Sequence, residues 1–206
     1  MLSVTRNTIM LKFNSVINAA KNISKTALVS STLLAGQFAY AGGSMDISLS
    51  EDTARIAFDA AKMGSGLHLA FAAQHHMDDG DIFSIGTHVV DVRDNQKDLY
   101  IGIGANTYGV FTDVEDGAAL GVGGFIRYNF PDQKDWSLAG YSYYAPAVTS
   151  FSGIDNLFDF DIRLQFAVIP TARVFTGYRY TSISFEDASG NYKLGDGLHL
   201  GIKLDF

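Results

Sequence analysis

The sequence predicts an all-β protein: a closed, antiparallel, up-and-down transmembrane β-barrel of ten strands behind a cleaved signal peptide. Three observations predict it. Residues 1–41 read as an export leader. After residue 62 apolar residues recur at every second position, the period of a strand with two unlike faces. Turn-forming clusters interrupt that alternation at regular intervals. Composition agrees: 206 residues, 47% hydrophobic and 13% aromatic, leave room for one domain and are too apolar for a disordered chain. The lack of Cys excludes a disulfide scaffold, a Cys-ligated zinc, a Cys nucleophile and a lipid-anchored Cys. A formal charge of −7 argues against a nucleic-acid partner.

The leader carries Arg6, Lys12, Lys21 and Lys25 and no acid. An apolar stretch, TALVSSTLLA (26–35), follows, and then the small-x-small exit Ala39-Tyr40-Ala41. The apolar stretch is too short for a membrane-spanning helix, which needs about 20 residues. Translation from either Met1 or Met10 suits this pattern. Cleavage after Ala41 divides the chain into a signal peptide (1–41) and a barrel domain (42–206). It removes four of the 15 basic residues and no acid, so the net charge falls from −7 to −11.

Ten strands are expected, at 44–50, 53–61, 66–76, 82–92, 98–110, 118–130, 136–146, 156–168, 172–185 and 196–206. The first two are the weakest, and DTARIAFDAA (52–61) also fits a short helix, which would leave eight strands. The third to fifth carry Leu67, Leu69, Phe71, then Phe83, Ile85, Val89, then Leu99, Ile101, Ile103 at alternate positions. In the sixth, Leu120, Val122, Ile126, Tyr128 and Phe130 alternate with glycines, Phe125 and Arg127. The eighth is clearest: Phe158, Phe160, Ile162, Leu164, Phe166 and Val168 against Asp159, Asp161, Arg163 and Gln165. The last sets Leu198, Leu200, Ile202, Leu204 and Phe206 against His199, Lys203 and Asp205. The connections read KMGSG, MDDGD, RDNQK, TDVEDG, PDQKD, TSFSGIDN, IPT and EDASGNYKLGDG.

Alternation alone also fits a soluble sandwich with its apolar faces inward. Two features favour the inverse. The polar face mixes Gly and Ala with charges of both signs, as a narrow lumen requires. Aromatics, among them Tyr128, Phe130, Trp136, Tyr143, Tyr144, Tyr178, Tyr180 and Phe206, gather toward strand ends as membrane girdles do. In lipid such a sheet must close, because no water satisfies an open edge.

The ending GLHLGIKLDF (197–206) resembles the signal by which the barrel-assembly machinery recognises its clients, with Leu198, Leu200, Ile202, Leu204 and the terminal aromatic Phe206. The chain also resembles the YfaZ family of outer-membrane proteins over nearly its full mature length. The stretches that carry the likeness are MDDGD (77–81), GVGGFIRYN (121–129), YSYYAP (141–146) and VFTGYRYTSISF (174–185), with GYRY the most specific. The resemblance implies an outer-membrane barrel of a Gram-negative bacterium. It implies no catalytic residue.

On the barrel reading Arg127, Asp159, Asp161, Arg163, Arg179, His199, Lys203 and Asp205 point into the lumen. They are expected either to line an ion-selective pore or to pair and plug it, and pairing is favoured because buried charges need partners. Asp159 with Arg163 is one such expected pair. The acidic groups Asp78, Asp79, Asp81, then Asp113, Glu115, Asp116, then Glu186, Asp187 fall on alternate connections. They read as solvated turns rather than as Mg²⁺ or Ca²⁺ sites. His75 and His76, adjacent on a strand, point to opposite faces and do not chelate one ion. His199 with Ser182 or Ser184 is the remaining hydrolase idea, and no nucleophile-elbow motif supports it. Neither a cofactor nor a catalytic residue is expected. The expected partners are outer-membrane lipid, lipopolysaccharide and the barrel-assembly machinery; the oligomeric state is left open. Three functions follow in order of support: a structural or narrow-pore barrel, a surface-loop adhesion or partner-binding barrel, and a lipid A-modifying enzyme.

Overall fold

The computed structural model describes residues 42–61, 66–90, 98–113, 115–185 and 191–206. The leader, with Ala39 and Ala41, lies outside them, as do Glu186 and Asp187. The strands are β1 (Gly43–Leu49), β2 (Thr53–Ala61), β3 (Leu67–His76), β4 (Gly80–Val90), β5 (Leu99–Phe111), β6 (Gly117–Asn129), β7 (Trp136–Ala145), β8 (Ser150–Phe151), β9 (Ile154–Ile169), β10 (Ala172–Phe185) and β11 (Asn191–Asp205). Ten of these form the wall, and the two-residue β8 pads onto β6. Every wall strand pairs antiparallel with its neighbours, and β1 meets β11 to close the barrel. The seam is sealed to its last residue: Gly43 N donates to Phe206 O at 2.8 Å and Phe206 N to Gly43 O at 2.9 Å. Among the described residues every wall strand has a paired neighbour on both sides, which is what lipid demands.

The side chains divide by parity. Outward-facing Ile162 is 41% exposed, Leu200 68% and Leu198 76%, while inward-facing Arg163 is 8% exposed and Asp161 fully buried. This overturns a soluble sandwich, in which the apolar set would be the buried one. At the end of the barrel that holds Gly43 and Phe206, the terminal end of the wall, Trp136 packs on Phe166 and Tyr128 on Phe130. At the distal end Phe83 meets Phe111 edge-on.

Several expectations need correction. Residues 53–61 are a strand, with ladders to β1 and β3 on its two edges, so the eight-strand alternative fails. A helix there would have left two edges open. Tyr143 is not in a girdle; it lies on the inward parity of β7 and is 5% exposed. The last strand starts at Asn191, not 196. Thr181 pairs with Gly195 but Ser182 pairs with Lys193, so Leu194 is an extra residue, a β-bulge. The bulge resets the parity, and Leu194 rather than Lys193 turns inward, 1% exposed. A 3₁₀ turn (Ala147–Thr149) and β8 occupy the connection read as an open loop. Gly80 opens β4 at φ +119°, where a Cβ would stand 2.1 Å from Phe111 O, so only glycine fits there.

Candidate functional site

The barrel interior is the candidate site, and it is built in layers from the inward parity of every strand. At mid-height Asp161, on β9, is the hub. It accepts from Arg163 Nε and Arg179 Nη2, each at 3.0 Å, and stands 3.0 Å from His199 Nε2. Arg163 Nη1 also donates to Asp46 on β1 at 3.2 Å, and Arg55 Nη1 lies 3.5 Å from the other Asp46 oxygen. Arg179 reaches on to Ser48 Oγ at 3.1 Å. The Arg163 guanidinium lies 4.8 Å over the Phe175 ring, and Phe175 is edge-on to His199. Phe175 fits because Gly201 faces it: a Cβ there would come within 2.3 Å of the ring. Asp159 joins the layer from one residue pair higher. It accepts from Tyr108 Oη at 3.2 Å and from Thr181 Oγ1 at 3.1 Å. Three carboxylates, Asp46, Asp159 and Asp161, thus face three guanidiniums, Arg55, Arg163 and Arg179.

Toward the distal end the interior turns apolar. Ile82, Val110, Ala119, Ala145, Ile154, Leu157, Ile183, Phe185 and Leu194 form one packed cluster, each 5% exposed or less. Gln74 crosses beneath it and donates to Leu194 O at 2.5 Å. Toward the terminal end the interior opens into a chamber of about 440 Å³, lined from Asp46, Arg55 and Asp159 down to Gly43, Tyr100 and Asp205. Arg127 donates to Gln165 there at 3.0 Å, Arg173 is paired with Asp205, and Lys203 lines the wall.

All eight lumen charges named from the sequence lie on the inward parity. Asp161, Arg163, Arg179 and His199 come together at the hub. Asp159 does not pair with Arg163; a tyrosine and a threonine hold it instead, and Arg163 takes Asp46 and Asp161. Arg127, Lys203 and Asp205 belong to the terminal chamber. Sequence reasoning missed Asp46, Arg55 and Asp59, because the short alternations of β1 and β2 carry few large apolar residues; it missed His68 and His88, on β3 and β4, because only the β3–β4 register sets them opposite each other. It also missed the apolar cluster, whose members occupy the same parity as the charges. The signal was there in β9, where Leu157 is two residues before Asp159.

His75 and His76 do point apart, with side chains 63% and 12% exposed, toward Asp81 and Asp79. The acidic turns are held locally: Asp81 accepts from His75 at 2.8 Å, and Glu115 N donates to Thr112 Oγ1 at 3.1 Å. His199 pairs across to Gly177, whereas Ser182 sits at the Lys193 register. Five residues of strand separate Gly177 from Ser182, roughly 17 Å, so no serine–histidine pair forms.

A profile of the family described as YfaZ precursor matches residues 21–206. The Outer membrane protein YfaZ of Escherichia coli (strain K12) is 26% identical over 145 residues, 69% of this chain and 76% of that protein. Among solved structures, the outer membrane protease OmpT from Escherichia coli aligns with a TM-score of 0.48 at 10% identity, over 80% of this chain and 93% of that one. The KdgM porin aligns at 0.41 and 12%, over 80% and 99%. The profile match takes in every strand from β1 to β11 together with the residues just before them, and this chain therefore belongs to the YfaZ family of outer-membrane proteins.

Proposed function

We propose that the protein is a small outer-membrane barrel with a sealed or very narrow lumen and no catalytic activity. The observation that supports this best is the continuous filling of the bore, from the Asp161 charge layer through Asp159 and Tyr108 to the Leu157–Ile183–Val110 cluster. Asp46 and Asp161 pair with Arg55, Arg163 and Arg179 across the bore, and Asp159 is held beside them by Tyr108 and Thr181, which leaves little room for an ion to be solvated there. The apolar cluster above them supplies no polar partner to a passing solute.

Lipid fills the outside, lipopolysaccharide surrounds the acidic distal turns, and the assembly machinery reads the β11 alternation and Phe206. Cleavage after Ala41 leaves Gly42 first, one residue ahead of β1, so that Gly43 is free to close the seam with Phe206. The distal turns at 50–52 and 77–79 are short, which counts against a large adhesive surface. Liposome swelling tests the reading. Vesicles carrying the folded mature protein should take up small sugars and amino acids no faster than protein-free vesicles. Swelling as fast as with a general porin would contradict it.

A further inference from the structure

On the chamber wall, three neighbouring strands bring together Asp59 (β2), His68 (β3) and His88 (β4). His68 and His88 stand directly opposite each other in the β3–β4 register, and both lie on the inward parity. Asp59 comes from the other side, opposite Ala70 and two residues along from His68. Its Oδ1 is 2.7 Å from His68 Nδ1, and its Oδ2 is 3.5 Å from His88 Nε2. One ligand atom from each residue lies within 4.8 Å of the other two.

The rings are fixed in place. The two imidazoles stack with centroids 4.9 Å apart and planes 19° from parallel, and His88 is braced edge-on by Phe125 at 4.9 Å. Phe125 is itself seated over Gly102, where a Cβ would come within 2.1 Å of the ring. The His88 side chain is only 7% exposed, yet its buried Nε2 has no hydrogen-bond partner among the described residues. A buried polar atom without a partner costs about 1–3 kcal/mol. Asp59 Oδ1 serves His68 as an ordinary ion pair would, whereas Oδ2 meets His88 Nε2 only at 3.5 Å, a charge contact too long to satisfy it as a hydrogen bond.

We propose that Asp59, His68 and His88 form a binding site for one divalent transition-metal ion, zinc or copper. Two imidazole nitrogens and one carboxylate oxygen are the donors such borderline ions prefer, and three protein ligands leave a coordination position open. That position faces the chamber, where water or a small donor ligand has space. Mg²⁺ and Ca²⁺ are disfavoured, because they want six or more oxygens. The metal would satisfy His88 Nε2 and take over the Asp59 carboxylate from His68. The only other neighbouring histidines in the described residues, His75 and His76, point apart and each already meets its own aspartate.

The test uses the mature barrel, folded in detergent micelles without a polyhistidine tag. Calorimetric titration with Zn²⁺ should show one saturable site per chain. Loss of a ligand in His68→Ala or His88→Ala should weaken it by at least the roughly 10–100-fold that follows from disturbing a metal's outer partners. His75→Ala with His76→Ala should leave it unchanged. Cu²⁺ loaded into the unaltered protein should show imidazole-nitrogen coupling in its paramagnetic resonance spectrum, a readout that needs no variant to fold. Three results would overturn the proposal: no saturable uptake of either ion, a copper spectrum without nitrogen coupling, or uptake that survives His68→Ala and His88→Ala in heat-modifiable barrels. Metal binding and conductance are separate readouts, so an open lumen would defeat the sealed-barrel reading and leave this site standing.

Discussion

Asp161 shows how one residue organises the interior. It is fully buried and holds two arginines and a histidine; without it Arg163 would keep only Asp46, and Arg179 only the Ser48 hydroxyl. Removing one member of a buried pair costs on the order of 3–5 kcal/mol. Arg163→Ala should therefore destabilise the folded barrel strongly in urea titrations in detergent. The double variant Asp46→Ala with Arg163→Ala should cost less than the two single effects added, because the two side chains are 3.2 Å apart. Asp159→Ala with Arg163→Ala should be closer to additive, since Asp159 is held by Tyr108 and Thr181. The next residue along β9 tests the opposite face. Ile162 meets lipid, so Ile162→Arg should cost about 2–4 kcal/mol, the penalty for arginine on the outer face at mid-depth. The inward parity of these charges was legible in the sequence, because period two is local. Their partners were not: Asp46 and Arg163 are 117 residues apart and meet only once the barrel closes.

At the scale of the element, β11 carries the most consequence. Phe206, the residue just after it, is hydrogen-bonded in both directions to Gly43, the first residue of β1, so it belongs to the seam. Deleting Phe206, or replacing Leu204 with Lys, should reduce assembled barrel and increase degradation, read as the fraction of heat-modifiable protein in membranes. Normal levels of that form in the deletion would contradict a role for this terminus in assembly. The outer alternation of β9 from Phe158 onward and of β11 from Leu198 onward was readable from the sequence. The start of β11 was not, because KLGDG reads as a turn while the chain in fact bulges at Leu194 and continues as strand. Propensity describes one strand alone, whereas β10 supplies a ladder that holds this stretch extended. Strand β2 illustrates the same limit. Its alanines suit a helix, and the two unsatisfied edges of β1 and β3 decide otherwise.

For the whole molecule, closure and filling are separate facts with separate origins. Closure follows because a lipid-facing sheet finds no water to satisfy an open edge, and the strands with their apolar face were visible from periodicity and turn spacing. Filling depends on which inward residues meet at the same height. The distal apolar cluster draws on seven strands, among them β4, β5, β9 and β11, and no single stretch announces it. The same holds for Asp59, His68 and His88, which lie on three strands and in three unrelated stretches of sequence. As a closed barrel the mature protein should run faster unheated than boiled on a denaturing gel, and should fractionate with the outer membrane. Single-channel recording across a planar bilayer tests the sealed lumen most directly. The paired charge layer and the apolar cluster predict no steady current, or only a small one. A stable, large, anion-selective conductance would contradict them and make the protein a general porin.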